Sequence, residues 1–160
     1  MKNSFCSIKK QFLRNLSKTF KDISFFDSNR NNTIRHSICK DIAARVLTDD
    51  ERASFYGLPS GCRMREGAKI IGIENLQIGE YCWIGENAIL DASGGLSIGS
   101  HCSIGLSVFI WSHSSHLSSL TMQNKIGNKL IDRKSTTIGD GCFIAGPSVI
   151  QPGVNIGNKV

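Results

Sequence analysis

From Leu58 to Val160 apolar residues return every six positions. They stand at Leu58, Met64 and Ile70, at Ile78, Ile84 and Leu90, at Ile98, Ile104 and Ile110, and after a gap at Ile138, Ile144, Ile150 and Ile156. Four residues after most of them comes something small or apolar: Cys62, Ala68, Cys82, Ala88, Cys102, Val108, Cys142, Ser148, Val154 and Val160. Such a period matches neither an amphipathic helix nor an alternating strand. It predicts an all-β solenoid, a parallel β-helix in which three six-residue faces close one triangular turn. Turns then stack at about 4.8 Å, and only several together bury the apolar interior. A glycine follows directly after Ile78, Ile84, Ile98, Ile104, Ile138 and Ile156. The expectation there is a tight bend or a positive φ.

Turns begin at Leu58, Ile78, Ile98 and Ile138. The third corner carries two extra residues in the first turns, because Ile70 to Ile78 and Leu90 to Ile98 are each eight apart. At the same corner of the next turn Ile110 and Ile138 are twenty-eight apart, so about twenty residues are extruded as a loop over roughly 111–137. A long loop at one corner of a regular coil is a candidate for function.

The front of the chain has a different period. Phe5, Ile8, Phe12, Leu16 and Phe20 recur at helical spacing over 5–22, with Lys9, Lys10, Arg14, Lys18 and Lys21 between them. Two readings fit this basic amphipathic helix: it packs on its own protein, or it lies on an anionic membrane surface. Asp27 to Asn32 reads as a polar turn or linker. A second helical stretch runs through Ile38, Ile42, Ala43, Val46 and Leu47, and Thr48 can cap a third that opens with Asp49, Asp50 and Glu51. The expected organisation is a short α-helical, basic N-terminal region over 1–57 and the β-helix over 58–160.

Charge sharpens this division. The chain has 160 residues and a formal net charge of +6. Residues 1–57 hold eleven Lys/Arg against six Asp/Glu, and 58–160 hold eight against seven. A nearly neutral ladder argues against a nucleic-acid groove along it. No stretch approaches the ~18 apolar residues of a membrane span, and no apolar run follows the basic start as in a signal peptide. Four of the six cysteines, Cys62, Cys82, Cys102 and Cys142, fill the same slot of successive turns. They read as a packed column of free thiols in a reducing cytoplasm, without the CxxC pairs of a zinc site.

Candidate chemistry centres on Ile110-Trp111-Ser112-His113-Ser114-Ser115-His116, where the long loop leaves the coil. Histidine is the natural general base near neutral pH. His101 falls at a repeat corner and reads as surface, and His36 carries no pattern.

The ladder, the single extruded loop and the histidine at its start resemble the left-handed β-helix acyltransferases, in particular the galactoside, maltose and surface-polysaccharide O-acetyltransferases. The likeness covers about 58–160. It implies a left-handed coil, a homotrimer with active sites in the clefts between neighbouring prisms, and acetyl-CoA as acyl donor, with no metal. It implies that His113, with His116 in reserve, removes the proton of a sugar hydroxyl that attacks the thioester directly. Gly146, preceded by Ala145, falls on the cofactor side where members place the backbone N–H that stabilises the oxyanion. Asn87 and Asp91 sit where members keep polar residues that touch the acceptor or orient the base, and Trp111 is either a sugar platform or a packing contact. Members continue past the position of Val160 with a further coil that touches CoA and with a cap.

The implied activity is O-acetylation of a surface polysaccharide (O-antigen or capsule) or its precursor, in the cytoplasm at the inner face of the membrane, with residues 5–22 as a peripheral membrane contact. An amino-sugar nitrogen is an acceptor the sequence does not separate from a hydroxyl. Two alternatives stand beside it. One is a truncated or degenerate, non-catalytic trimeric β-helix. The other is a zinc lyase of the carbonic anhydrase type, for which His101, His113 and His116 are the only ligands at hand.

Overall fold

A computed structural model of the chain describes Gln11, Arg14, Asn15, Lys18 and residues 28–122 and 130–160. The apolar stripe expected at Phe5, Ile8, Phe12, Leu16 and Phe20 lies outside them. The chain separates into two compact units, 1–47 and 48–160. Among the described residues no helix is long and apolar enough to cross a membrane.

In the first unit, α1 (Asn29–Ala44) starts inside the polar run expected to be a linker. The reason is a cap: Ser28 Oγ accepts the Asn31 N–H at 3.2 Å. This helix buries the small residues Cys39, Ala43 and Ala44 and leaves Ile34, Ile38 and Ile42 exposed.

The second unit opens with α2 (Asp49–Tyr56), whose capping box pairs Thr48 with Glu51; the Glu51 carboxylate accepts the Thr48 N–H at 2.9 Å. Gly57 ends it in the left-handed region at φ 79°. Ala53, Phe55 and Tyr56 are buried, and the buried Arg52 donates to the Met64 carbonyl at 2.7 Å. The helix thus packs on the first rung, so the unit begins before the ladder does.

The ladder forms three parallel sheets, each of four strands. The first holds β1 (Arg63–Met64), β4 (Trp83–Ile84), β7 (Ser103–Ile104) and β12 (Phe143–Ile144). The second holds β2 (Lys69–Ile71), β5 (Ile89–Asp91), β8 (Phe109–Ile110) and β13 (Val149–Ile150). The third holds β3 (Leu76–Ile78), β6 (Leu96–Ile98), β11 (Thr136–Ile138) and β14 (Asn155–Ile156). Register gives the turn length directly. Met64 pairs with Ile84 and Ile84 with Ile104, twenty residues apart, whereas Ile104 pairs with Ile144, forty apart. The expected twenty-residue extrusion therefore leaves the stacking of all later rungs intact. Met64, Ile84, Leu90, Ile98, Ile104 and Ile110 are buried in the interior, each side chain contributing about 1.5–3 kcal/mol by leaving water.

The glycines behave differently from expectation. Those after the isoleucines are absent from the positive-φ positions. The left-handed corners are Gly61, Tyr81, His101, Gly141 and Lys159 in one column and Gly67, Asn87 and Ser107 in the next. Glycine is required after isoleucine because the next turn's backbone passes so close. A Cβ on Gly85 would lie 2.6 Å from the Gly105 carbonyl carbon, and one on Gly105 would lie 2.6 Å from the Gly146 nitrogen.

The cysteine column is present as a ladder of thiols. Cys39, Cys62, Cys82, Cys102 and Cys142 are free and buried. Cys82, Cys102 and Cys142 each donate at 3.0 Å to the carbonyl of a post-isoleucine glycine in the following turn, Gly99, Gly139 and Gly157.

Candidate active site

The third corner is where the coil departs from regularity, and its departures stack. In the first turn the two extra residues form a 3-10 turn, Ile73–Asn75. In the second they make the Ser93-Gly94-Gly95 corner, with Gly95 at φ 98°. In the third the loop leaves as a hairpin, β9 (His113–Ser114) antiparallel to β10 (Asp132–Arg133), with the short helix α3 (His116–Leu120) following His113. Two buried hydroxyls pin its feet. Ser112 Oγ accepts the Gly94 N–H at 2.8 Å, and Thr136 Oγ1 donates to the Trp111 carbonyl at 2.7 Å.

Asp91, at the end of β5, lies directly beneath and is fully buried. Its Oδ2 stands 2.6 Å from His113 Nδ1 and accepts the backbone N–H groups of Ser112 at 3.0 Å and His113 at 3.1 Å. Its Oδ1 accepts the Ser93 N–H at 3.0 Å. Burial alone would raise the Asp91 pKa. The hydrogen bonds from the Ser112 backbone, the Ser93 side chain and backbone and the His113 ring outweigh it, so the carboxyl is held below its ordinary value and is ionised at neutral pH.

A carboxylate on Nδ1 holds the imidazole with its proton on that nitrogen and leaves Nε2, on the far side of the ring, as the basic atom. The His113 side chain is 30% exposed, so this second nitrogen is reachable. Trp111 stands edge-on to it, ring centroids 6.2 Å apart at 87°, and also edge-on to Phe109. The arrangement is a part-exposed imidazole oriented by a buried carboxylate, the geometry that general-base chemistry requires.

Other predicted residues fall elsewhere. His116 is exposed at the start of α3, and its Nδ1 meets Ser114 Oγ at 2.8 Å. Asn87 is a left-handed corner residue at φ 58° whose N–H donates to the Glu66 carbonyl, and it makes no hydrogen bond to Asp91 or His113. Ala145 and Gly146 are exposed at the corner after β12, joined onward by a cis Gly146–Pro147 peptide. That corner precedes the second sheet, whereas His113 follows it, so one chain does not bring Gly146 to His113. His101 stacks on Tyr81 at 5.1 Å. The three histidines are thus held separately, and among the described residues no group of three or more His, Cys, Asp or Glu is placed to hold a metal ion.

No family model matches the chain. The proteins called "Putative colanic acid biosynthesis acetyltransferase WcaF" in Escherichia coli (strain K12) and Shigella flexneri are each 28% identical to it over 95 residues, 59% of this chain. The chain spans about half the length of these curated relatives, 48%. A solved hexapeptide-repeat-containing acetyltransferase of Vibrio cholerae O1 biovar eltor, complexed with acetyl coenzyme A, superposes with a TM-score of 0.55 at 23% identity, covering 75% of this chain and 67% of that one. The fold is that of the hexapeptide-repeat acetyltransferases.

Against that background, sequence reasoning had found Asp91 and His113 but missed Ser93 and Ser112. A usable signal existed. The turn repeats every twenty residues, so Ser93 is the residue one turn beneath His113.

Proposed function

We propose that the chain is the hexapeptide-repeat part of an acetyl-CoA-dependent O-acetyltransferase acting on a sugar hydroxyl of a surface polysaccharide or its precursor. The observation that carries this reading is the 2.6 Å contact between buried Asp91 and His113 at the root of the extruded loop. The WcaF likeness supports a polysaccharide acceptor, and the Vibrio cholerae fold supports the donor.

In this reading His113 Nε2 takes the proton of the acceptor hydroxyl as its oxygen attacks the acyl carbon. Acetyl-CoA supplies that carbon as a thioester. Asp91 stabilises the imidazolium that forms, and as the C–S bond breaks the imidazolium returns the proton to the departing thiolate. The Gly146 N–H makes no hydrogen bond among the described residues and lies on an exposed corner. It can donate to the oxyanion. Because Gly146 and His113 occupy different corners, the reaction takes them from neighbouring chains of a left-handed homotrimer. Trp111 supplies an aromatic face beside the base for the sugar ring. The enzyme works in the cytoplasm at the inner face of the membrane, with residues 5–22 touching that surface; vesicle co-sedimentation unchanged by deleting 1–22 would remove the last point.

The test is transfer itself. The chain is incubated with acetyl-CoA and a panel of sugars bearing free hydroxyls or free amines, and thiol release is followed together with acetylated product by mass spectrometry. Acceptor-dependent thiol release with a hydroxyl sugar supports the proposal. Transfer only to amino sugars would make the enzyme an N-acetyltransferase with the same base. No release with any acceptor, from a cooperatively folded chain, would sink it.

A further inference from the structure

His113 Nδ1 has two oxygen neighbours. Asp91 Oδ2 is at 2.6 Å and Ser93 Oγ is at 2.9 Å. One ring nitrogen carries one hydrogen. With an ionised carboxylate at 2.6 Å that hydrogen must be on Nδ1, since a bare lone pair facing the carboxylate would be repulsive. With that hydrogen on Nδ1, the Ser93 hydroxyl presents an oxygen lone pair to the ring. Its backbone N–H also donates to Asp91 Oδ1 at 3.0 Å.

Ser93 therefore touches both members of the pair, and Asp91 alone does not define the ring plane. A single acceptor lets an imidazole rock about the hydrogen bond, whereas a second acceptor on the same N–H restricts its tilt. The corner holds the serine there through its neighbours: the Gly94 N–H donates to Ser112 Oγ at 2.8 Å, and a Cβ on Gly94 would run into the Ser112 backbone. The remaining charged groups on the elements around His113 are few. Asp91 lies beneath on β5, Arg133 lies opposite across the hairpin on β10, and His116 follows on α3.

We propose that Ser93 is a positioning residue that locks the tilt of His113, whose tautomer Asp91 sets, so that Nε2 is aimed at the acceptor. This deepens the acetyl-transfer reading, and its kinetic arm rests on that reading.

Two measurements on the full chain test it. The first needs no activity: the imidazole nitrogens of His113 are followed by long-range nitrogen–carbon correlation NMR in the wild type, Ser93→Ala and Ser93→Thr, with the thermal midpoint of each as a folding control. The wild type and Ser93→Thr should show the Nδ1–H tautomer alone. Ser93→Ala should keep that tautomer and show a second ring environment. The second is kinetics with an acceptor found by the transfer assay. Ser93→Ala should lower kcat about fivefold with KM unchanged, the size expected for one neutral hydrogen bond, and Ser93→Thr should restore it. A Ser93→Ala spectrum identical to wild type overturns the proposal, as does an unchanged kcat. If the wild type transfers no acetyl group, the functional reading fails, and the spectra alone still judge Ser93.

Discussion

His113 and His116 stand three residues apart, yet they belong to different regions of the molecule. His113 rests on the floor of the site, where a buried carboxylate, two serines and the rungs of the coil fix its surroundings. His116 belongs to the extruded loop, exposed, with Ser114 as its hydrogen-bond partner. Their chemistry is the same and their sequence context nearly so. The difference is what lies one turn beneath. A base is made by its support, and only the residue at the root of the loop has the coil under it.

That contrast can be broken most directly at its strong end. His113→Ala should lower kcat/KM by about 10²- to 10⁴-fold, the usual worth of a general base, while the melting transition stays cooperative. Asp91→Asn comes next. It keeps the volume and removes the charge that sets the tautomer, and kcat should fall on the order of 10²-fold, a smaller loss because the histidine remains.

The same variant sharpens the comparison through pH. Hydrogen bonds hold the Asp91 carboxyl below its ordinary value, so it stabilises the fold above about pH 4 and loses that contribution as pH falls through the lower folded value. The gap between wild-type and Asp91→Asn melting midpoints should therefore be widest near neutrality and narrow in acid. A gap that does not change between pH 7 and pH 3 would mean that the carboxylate is not the stabilised form. His116→Ala should have the smallest effect, within about threefold in kcat/KM, as for an exposed side chain on a loop. A loss as large as that of His113→Ala would exchange the two assignments.

Much of this was legible from the residues alone. The six-residue period announced the coil, and the gap between Ile110 and Ile138 located the extrusion, because both are one-dimensional signals. The reason for the glycines after isoleucine was not legible. Close approach between turns and a left-handed φ both favour glycine, and only the structure shows that Gly85 and Gly105 answer the first while Tyr81, Asn87 and His101 accept the second without it. Ser93 and Ser112 were hidden for another reason. A serine carries no signal of its own, and the signal that exists lies in the register, which sets Ser93 twenty residues back along the chain beneath His113. The second helical stretch was expected through Ile38 and Ile42, but its start at Asn29 was missed because Ser28 was read as part of a turn rather than as a cap.

The thiol ladder has a consequence for how the coil comes apart. Burial pushes the Cys82 thiol up to about 12 and raises Cys102 as well, so the reactive thiolate is scarce at neutral pH while the rungs are closed. Each of Cys62, Cys82, Cys102 and Cys142 marks a different rung. Their alkylation rates, read peptide by peptide in a pulse of reagent, form a set of clocks along the prism. Equal rates would mean that it opens all at once, and graded rates would show from which end it unzips.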